Sequence, residues 1–282
     1  MAVNGGVLAE TVLDGQVAIV TGAGSGIGRA TALELARIGA TVVACGRRLE
    51  PLQETAGLAT VGRVDAVACD IREEDQVAAL VDGALERHGR IDVLVNNAGG
   101  QFLCGAEDIT PKGFRTVIRL NLEGTWLMTH AVATRAFIPS GRGGRVVCVT
   151  LTPHTGLAGM SHSSAARAGV EGLMRVLAIE WARFGINCVC VAPGVVCTDT
   201  LMTKYPPDFH EHTRTQLLAG GYTEAEDLAQ TIAFIVSPGG RAITGSVINV
   251  DRGHDVSQRP FPPSEVATSK GSIPQEARRA SG

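Results

Sequence analysis

Short runs of apolar, β-branched residues alternate with longer amphipathic stretches along almost the whole chain. Most of the short runs are apolar at consecutive positions, which is typical of parallel strands covered by helices on both faces. The intervening stretches, such as residues 28–40 and 73–89, repeat apolar residues every three to four positions, as amphipathic helices do. The pattern predicts seven strands, over residues 16–21, 41–45, 64–69, 91–97, 145–150, 186–192 and 246–250.

This alternation predicts an α/β fold, a single doubly wound (Rossmann-type) domain whose seven-stranded parallel sheet carries helices on both faces. Right-handed crossovers in such a sheet place ligands at the carboxyl ends of the strands. We expect residues 14–254 to form the domain and residues 1–13 an N-terminal arm. Residues 255–282 are rich in Pro, Ser and charge, which predicts a mobile C-terminal tail.

Composition and charge argue against several classes of protein. The 282 residues carry a net charge of −3 with scattered basic residues, so nucleic acid is not an expected partner. No apolar run reaches the roughly 18–20 residues that a membrane helix needs, and the N-terminus does not read as a secretory signal. The seven cysteines form no CxxC pair. We therefore expect a cytoplasmic protein with reduced thiols, no metal site and no membrane association.

The stretch "TGAGSGIGRA" over residues 21–30 directly follows the first predicted strand and opens the first helix. Glycines at this spacing let the backbone turn sharply and approach a pyrophosphate at a helix N-terminus. A plain glycine-rich turn is the alternative, but the position after the first strand favours a dinucleotide site. The residues assigned to it here are Gly22, Ser25, Gly26, Ile27 and Gly28.

The end of the second predicted strand bears on the choice between NAD and NADP. It reads "ACGRRLE", with Gly46 where a carboxylate would bind ribose hydroxyls and repel a 2′-phosphate. Arg47 and Arg48 follow, and the planar guanidinium suits a phosphate. NADPH is therefore the predicted cofactor, unless both arginines belong to a solvated helix start.

Further motifs follow in order: "CDI" (69–71), "NNAGG" (96–100), "RLNLEGT" (119–125) and "APGVVCTDT" (192–200). With the glycine motif they resemble the short-chain dehydrogenase/reductase family over roughly residues 13–254. The resemblance implies a homotetramer built on helices at 111–137 and 161–184. It also implies that Asn121 anchors a water chain, although a mid-helix Asn can instead distort a turn. By the same resemblance the cofactor contacts Asp70, Ile71, Asn96, Asn97, Ala98, Gly99, Pro193, Gly194, Val196 and Thr198.

The chain departs from that family at the reacting groups. Most members use a Ser, a Tyr and a Lys for carbonyl reduction, but the tyrosine position here is Ser163 and the lysine position Arg167. The serine position falls at or near Thr150. The chain has only two tyrosines, Tyr205 and Tyr222, and both lie beyond the sixth predicted strand.

The stretches "NNAGGQFL", "HSSAARAGVEGL" and "LAIEWARFGI" are similar to one branch, the trans-2-enoyl-CoA and 2,4-dienoyl-CoA reductases. This resemblance implies NADPH-dependent reduction of the C=C bond of an α,β-unsaturated acyl thioester, with CoA as the expected carrier. The tyrosine of the dienoyl enzymes corresponds to Thr152, so it is missing as well. Hydride addition to Cβ gives an enolate, which needs donors at the thioester oxygen rather than a tyrosine.

We therefore expect Ser163 to donate to the thioester oxygen, and Arg167 to clamp the nicotinamide ribose, since an arginine cannot act as a general acid. A carbonyl reductase with a rewired proton relay and a non-catalytic NADPH-binding regulator remain alternatives. His154 and His162 are candidate acids, although such histidines more often serve packing or lie on the surface.

Two further segments are candidates for the substrate site. Cys104 is expected in the substrate wall. Residues 201–212 read either as a lid in which Tyr205 closes over substrate or as an ordinary exposed helix and loop.

Overall fold

The computed structural model describes residues 7–198, 202–203, 217–218 and 221–257. Seven strands within them form one parallel sheet, and two short strands pair outside it. The strands are β1 (Val17–Thr21), β2 (Thr41–Gly46), β3 (Arg63–Ala68), β4 (Val93–Asn96), β5 (Gly144–Val149), β6 (Ile186–Pro193), β7 (Val196–Cys197), β8 (Thr223–Glu224) and β9 (Val247–Val250).

The strand order is β3-β2-β1-β4-β5-β6-β9, and every neighbouring pair is parallel. This confirms the predicted doubly wound sheet. Chain order reverses direction between β1 and β4, so the crevice for a ligand opens at the carboxyl ends of these two strands. β4 begins at Val93, two residues later than predicted, and the side chain of Asp92 just before it accepts a hydrogen bond from Val17 N, 2.9 Å away.

Helices cover both faces of the sheet. Residues 111–140 form one continuous helical rod in which two π-helical turns, Arg119–Glu123 and Ala133–Phe137, interrupt the α-helix. The α-helices are α1 (Gly26–Arg37), α2 (Leu49–Leu58), α3 (Glu74–His88), α4 (Pro111–Ile118), α5 (Gly124–Val132), α6 (Ile138–Ser140), α7 (Ser161–Glu180) and α8 (Ala225–Val236).

The core lies in two layers, one on each side of the sheet. Ile19 packs into the layer beneath α3, α5 and α7, whereas its neighbours Ala18 and Val20 pack into the layer beneath α1 and α8. Adjacent strand residues are therefore both buried, which is why the strands are apolar without alternation. Each large aliphatic side chain buried in this way contributes about 1.5–3 kcal/mol.

The segments outside the predicted domain contribute to it. Leu13, in the expected arm, is fully buried, and its N–H donates to Ile38 O at 2.8 Å. Residues 255–257, at the start of the expected tail, continue a turn that follows β9; residues 258–282 lie outside the described part. None of the helices described here is long and apolar enough to cross a membrane.

Candidate active site

The glycine-rich turn after β1 brings the backbone close to the N-terminus of α1. Gly22 and Gly26 have φ values of +65° and +51°, which favour glycine. A Cβ on Gly28 would collide with Gly22 O and the Asn97 side chain, so α1 can approach the strand only at a glycine. The first turn of α1 contains no acidic residue. Its backbone N–H groups therefore favour an anion, as the sequence predicted.

Two adjoining cavities of about 350 and 460 Å³ run from this turn across the carboxyl edge of the sheet. The two cavities share four lining residues, Ile27, Asn97, Gly99 and Thr198, and so form one continuous groove. Most predicted cofactor residues lie along it, while Gly28 packs beneath it. Its first part is lined by Gly22, Ser25, Gly26, Ile27, Arg47, Arg48, Asp70, Ile71, Asn97, Ala98 and Gly99. Its second part is lined by Thr150, Thr152, Arg167, Pro193, Gly194, Val196 and Thr198, among others.

Hydrogen bonds to Thr21 join the ends of β1 and β4 beside the glycine-rich turn. The Thr21 hydroxyl accepts from the N–H groups of Asn97 (3.0 Å) and Ala98 (2.9 Å). Asn97 Nδ2 donates back to Thr21 O at 2.9 Å. Asn96, which the resemblance also placed at the cofactor, points away: it is buried and donates to Thr129 Oγ1 at 2.8 Å.

The charges around the first part of the groove are mainly positive. Arg47 and Arg48 line it and are exposed. The nearby carboxylate of Asp70 is held by Arg72, whose Nε donates to Oδ1 at 2.9 Å. That hydrogen bond, together with the charges of Arg72 and Arg47, lowers the pKa of Asp70 against the effect of partial burial. A phosphate bound here would lie near the guanidinium groups of Arg47 and Arg48 and near one carboxylate that is already paired.

Asn121 lies inside the π-helical turn and holds the loop that follows β4. Its Oδ1 accepts from Gly100 N at 2.9 Å, and its Nδ2 donates to Gly100 O at 3.1 Å. The Asn121 carbonyl accepts from the Thr125 hydroxyl at 2.9 Å, which satisfies a group that the π turn displaces. Asn121 therefore lies in a distorted helical turn and holds Gly100 in the groove wall.

Ser163 and Arg167 lie one turn apart on the inner face of α7, as predicted. Arg167 lines the groove, whereas Ser163 is fully buried and its hydroxyl donates to Gln101 Oε1 at 3.1 Å. The carboxamide of Gln101, which lines the groove, therefore lies between Ser163 and the cavity. A substrate oxygen reaches the Ser163 hydroxyl only by taking the place of Gln101 Oε1.

Arg167 is a buried cation at the centre of the site. Its Nη1 donates to Val149 O at 2.7 Å, while its buried Nε has no hydrogen-bond partner among the described atoms. Gly99 leaves room for the guanidinium, since a Cβ there would overlap Nη2. Burial lowers the pKa of Arg167 to about 10, so it stays charged at neutral pH. An unpaired donor and a glycine cradle at opposite ends of the groove fit a dinucleotide with an anionic backbone.

Thr150 and Thr152 both line the groove and both donate to carboxylates behind it. Thr150 Oγ1 donates to Glu171 Oε1 at 3.1 Å, and Thr152 Oγ1 to Asp251 Oδ2 at 3.0 Å. His154 bridges Glu171 and Asp255. Sequence reasoning missed Gln101, Glu171, Asp251 and Asp255. Glu171 had a signal, since it lies eight residues after Ser163 on the same helical face, whereas the other three had none.

The remaining candidates are placed away from the groove. The Nδ1 of His162 accepts from Ser163 N at 2.8 Å, and its ring packs edge-on against Phe102 with 4.4 Å between centroids. His162 is fully buried and serves packing. Cys104 lines neither cavity, and its N–H donates to Gly159 O. The predicted lid lies outside the described residues apart from residues 202–203. No cluster of potential metal ligands occurs in the described part of the chain.

The chain is similar to known proteins over most of its length. A family model described as enoyl-(acyl carrier protein) reductase matches residues 22–255. A probable 2,4-dienoyl-CoA reductase of Bacillus subtilis is 33% identical over 255 residues, which cover 88% of this chain and 100% of the relative. The 3-oxoacyl-(acyl carrier protein) reductase of Thermotoga maritima is 35% identical over 247 residues, 86% of this chain and 98% of the relative. A solved structure, a citronellol catabolism dehydrogenase from Pseudomonas aeruginosa PAO1, superposes with a TM-score of 0.79 at 38% identity, covering 89% of this chain and 99% of that one.

Proposed function

Because the chain belongs to the short-chain dehydrogenase/reductase family, and so is an oxidoreductase that uses a nicotinamide cofactor, we propose that it reduces the C=C bond of an α,β-unsaturated acyl thioester with NADPH. The relatives it resembles act on different bonds, since some are named dienoyl-CoA reductases and others 3-oxoacyl reductases. The choice between these reactions therefore rests on the residues of this groove.

The observation that carries the proposal is the set of groups at the reacting end. The second part of the groove presents alcohol hydroxyls and, among the described lining residues, one permanent cation, Arg167; no tyrosine among the described residues lines either part. Tyr222 packs instead against Leu217. Reduction of a ketone gives a localised alkoxide that needs an adjacent proton donor, whereas reduction of an enoyl thioester gives a delocalised enolate. Hydrogen-bond donors aimed at its oxygen stabilise the enolate.

In this reaction bound NADPH supplies the hydride that adds to Cβ. The chain's own groups then act on the thioester. The Ser163 hydroxyl donates to the thioester oxygen after that oxygen displaces Gln101 Oε1. Arg167 holds positive charge beneath the groove throughout the reaction. The glycine cradle binds the pyrophosphate, and the protonation of Cα completes the reduction.

The preference for NADPH is supported by the end of β2. Arg47 and Arg48 line the groove there, and Gly46 leaves no carboxylate to repel a 2′-phosphate. Charge-assisted contacts of arginine with phosphate are among the stronger hydrogen bonds in proteins.

We also propose a homotetramer that works in the cytoplasm. Exposed apolar side chains on the helical rod and on α7 support the assembly, among them Phe114, Trp126, Val176 and Ile179. Buried cysteines that form no disulfide among the described residues, such as Cys45 and Cys148, support a reducing compartment. Light scattering of the purified protein measures the oligomeric state.

One assay separates the candidate functions. NADPH oxidation is followed with a panel of enoyl-CoA, dienoyl-CoA, 3-oxoacyl-CoA and simple ketone substrates. We expect turnover of the C=C substrates, with deuterium at Cα when the reaction runs in D₂O. Robust turnover of ketones instead establishes the carbonyl reductase, the reaction of the 3-oxoacyl relative. Tight NADPH binding without turnover of any substrate establishes the non-catalytic regulator.

A further inference from the structure

A continuous chain of hydrogen bonds leads from the groove to the protein surface. It begins at Thr150 Oγ1, which lies 3.1 Å from Glu171 Oε1, and continues over 3.0 Å to His154 Nε2. The other ring nitrogen, Nδ1, lies 2.9 Å from Asp255 Oδ2. Asn249 Nδ2 also donates to this Asp255 oxygen, at 2.9 Å, and so orients it. Four residues from three separate segments thus form one path, with Thr150 and His154 after β5, Glu171 on α7 and Asp255 after β9.

Side-chain exposure increases along this path from the groove to the protein surface, as a proton relay needs. Thr150 lines the groove and is almost fully buried, and the Glu171 side chain is only 7% exposed. The His154 side chain is 35% exposed and so exchanges protons with water. Water therefore reaches the outer end of the path, while the inner end faces the reacting part of the groove.

We propose that His154, acting through Glu171 and Thr150, supplies the proton that the α-carbon of the substrate gains. This inference rests on the proposed function, in which the cofactor's hydride brings the bonding electron pair to Cβ. The missing tyrosine leaves the proton source open, and this path ends at Thr150, beside the position that the family's serine occupies. Thr150 touches the substrate in this scheme, while Glu171 and His154 act through it.

The step balances in atoms and electrons. Hydride adds to Cβ, and the π electrons of the C=C bond move into the enolate. The Thr150 hydroxyl, which donates to Glu171 Oε1 at rest, turns toward Cα, and its O–H bond breaks as the new Cα–H bond forms. Protonated His154 gives its Nε2 proton to the Glu171 carboxylate, and Glu171 passes a proton to the Thr150 oxygen. Neutral His154 then takes a proton from a solvent acid such as hydronium, so the protein returns to its starting state.

The charges around His154 support its role as an acid. Partial burial by itself lowers the pKa of His154, but hydrogen bonds and charge interactions with Asp255 and Glu171 outweigh it and raise the pKa above its usual value. Arg175 of α7 reaches the outer oxygen of Glu171 at 3.5 Å, and Asp251 and His254 lie in the turn that carries Asp255. The protonated form therefore persists to higher pH. The turnover number should be level on the acid side and fall as the pH rises through this raised pKa.

The first test uses kinetics with an enoyl-CoA substrate and NADPH. His154→Gln should lower kcat on the order of 10²-fold, the usual contribution of one positioned acid, with the KM for the thioester and the Kd for NADPH little changed. The basic limb of the pH profile should disappear. In His154→Gly, added imidazole should restore part of the rate. His130→Gln, in an exposed histidine of α5 that lines neither cavity, is the matched control and should behave as wild type.

The second test needs no cofactor. The titration of the His154 ring, followed by NMR in the cofactor-free protein, should move to lower pH in Glu171→Gln and in Asp255→Asn. Glu180→Gln, in an exposed carboxylate on the same helix, should leave it unchanged. Failure of both variants to move the titration overturns the relay.

The two proposals fail in different ways. If wild-type protein reduces enoyl thioesters but His154→Gln keeps the wild-type kcat and pH profile, the relay is wrong and the function stands. If wild-type protein reduces no thioester, the proposed function is wrong, and so is the proposed relay, which depends on it.

Discussion

The two ends of the groove differ in the groups that line them, backbone at one end and side chains at the other. The proposed phosphate end consists of one contiguous segment, residues 21–30, in which glycines without a Cβ expose the backbone. The reacting end consists of side chains from separate segments, with Thr150 and His154 after β5, Glu171 on α7 and Asp255 after β9. Backbone recognition of a phosphate depends on local geometry alone, whereas acid chemistry depends on contacts that only packing creates.

The two ends also use arginine differently. Arg47 is exposed where it lines the groove. Arg167 is buried and donates to Val149 O, and its Nε has no hydrogen-bond partner in the described part of the chain. An exposed arginine contributes chiefly to affinity and selectivity, while a buried one shapes the electrostatic potential in which the reaction takes place.

The sharpest way to test the reacting end is Ser163→Ala. Loss of one donor to the enolate should lower kcat by about 10²–10³-fold with NADPH binding little changed. Gln101→Ala is the companion variant, and it should lower the KM for the thioester because it removes the acceptor that now occupies Ser163. Wild-type turnover in Ser163→Ala would transfer the donor role to Thr150 or Thr152. Steady-state kinetics with an enoyl-CoA checks all of these outcomes.

At the phosphate end, the double variant Gly46→Asp with Arg47→Ala should reverse the cofactor preference. It adds a carboxylate that repels the 2′-phosphate and removes a charge-assisted contact worth about 1.5–3 kcal/mol, roughly a 10–100-fold change in kcat/KM. Arg142→Ala, in an exposed arginine away from the groove, is the control. Equal use of NADH and NADPH by the wild-type protein would show that Arg47 and Arg48 are merely solvated.

The backbone character of the phosphate end is tested by Gly28→Ala. The added methyl group meets Gly22 O and Asn97, so the fold must shift at a cost of about 1–3 kcal/mol, and NADPH binding should weaken with it. Gly83→Ala, within α3 and with open space around its Cβ, should instead gain about 0.5–1 kcal/mol. Thermal unfolding and cofactor titration measure both variants. Equal stability of the two variants would contradict the close approach of α1 to β1.

The smallest effect is expected for Arg167→Lys. Lysine keeps a positive charge beneath the groove but replaces the planar guanidinium with a point charge, so we expect roughly a tenfold loss of kcat/KM. The unfolding temperature of the variant is measured alongside. It shows whether a lower kcat/KM comes from the changed position of the positive charge or from a destabilised fold. Unchanged kcat/KM would mean that the guanidinium geometry is not used.

Most hydrogen-bond contacts at the reacting end could not be predicted from the sequence, because the residues that form them are far apart along the chain. Ser163 and Arg167 were placed correctly on one helical face, since helical periodicity is a local property. The cover of Gln101 over Ser163 was not foreseen, because it spans 62 residues. The partnership of His154 with Asp255 spans 101 residues, and Asp255 lay in a segment whose composition predicted only a tail.

The doubly wound sheet, the glycine-rich turn after β1 and the arginines at the end of β2 could all be predicted from the amino-acid sequence. Each of these follows from periodicity, from glycine spacing or from residues next to one another, so no long-range contact was needed. The side chains that face the groove, the cover of Gln101 over Ser163 and the connection of His154 to Thr150 through Glu171 became apparent only in the folded chain. Hydrogen bonds form wherever packing brings donors and acceptors within about 3 Å, and that proximity is a property of the folded chain rather than of any segment of it.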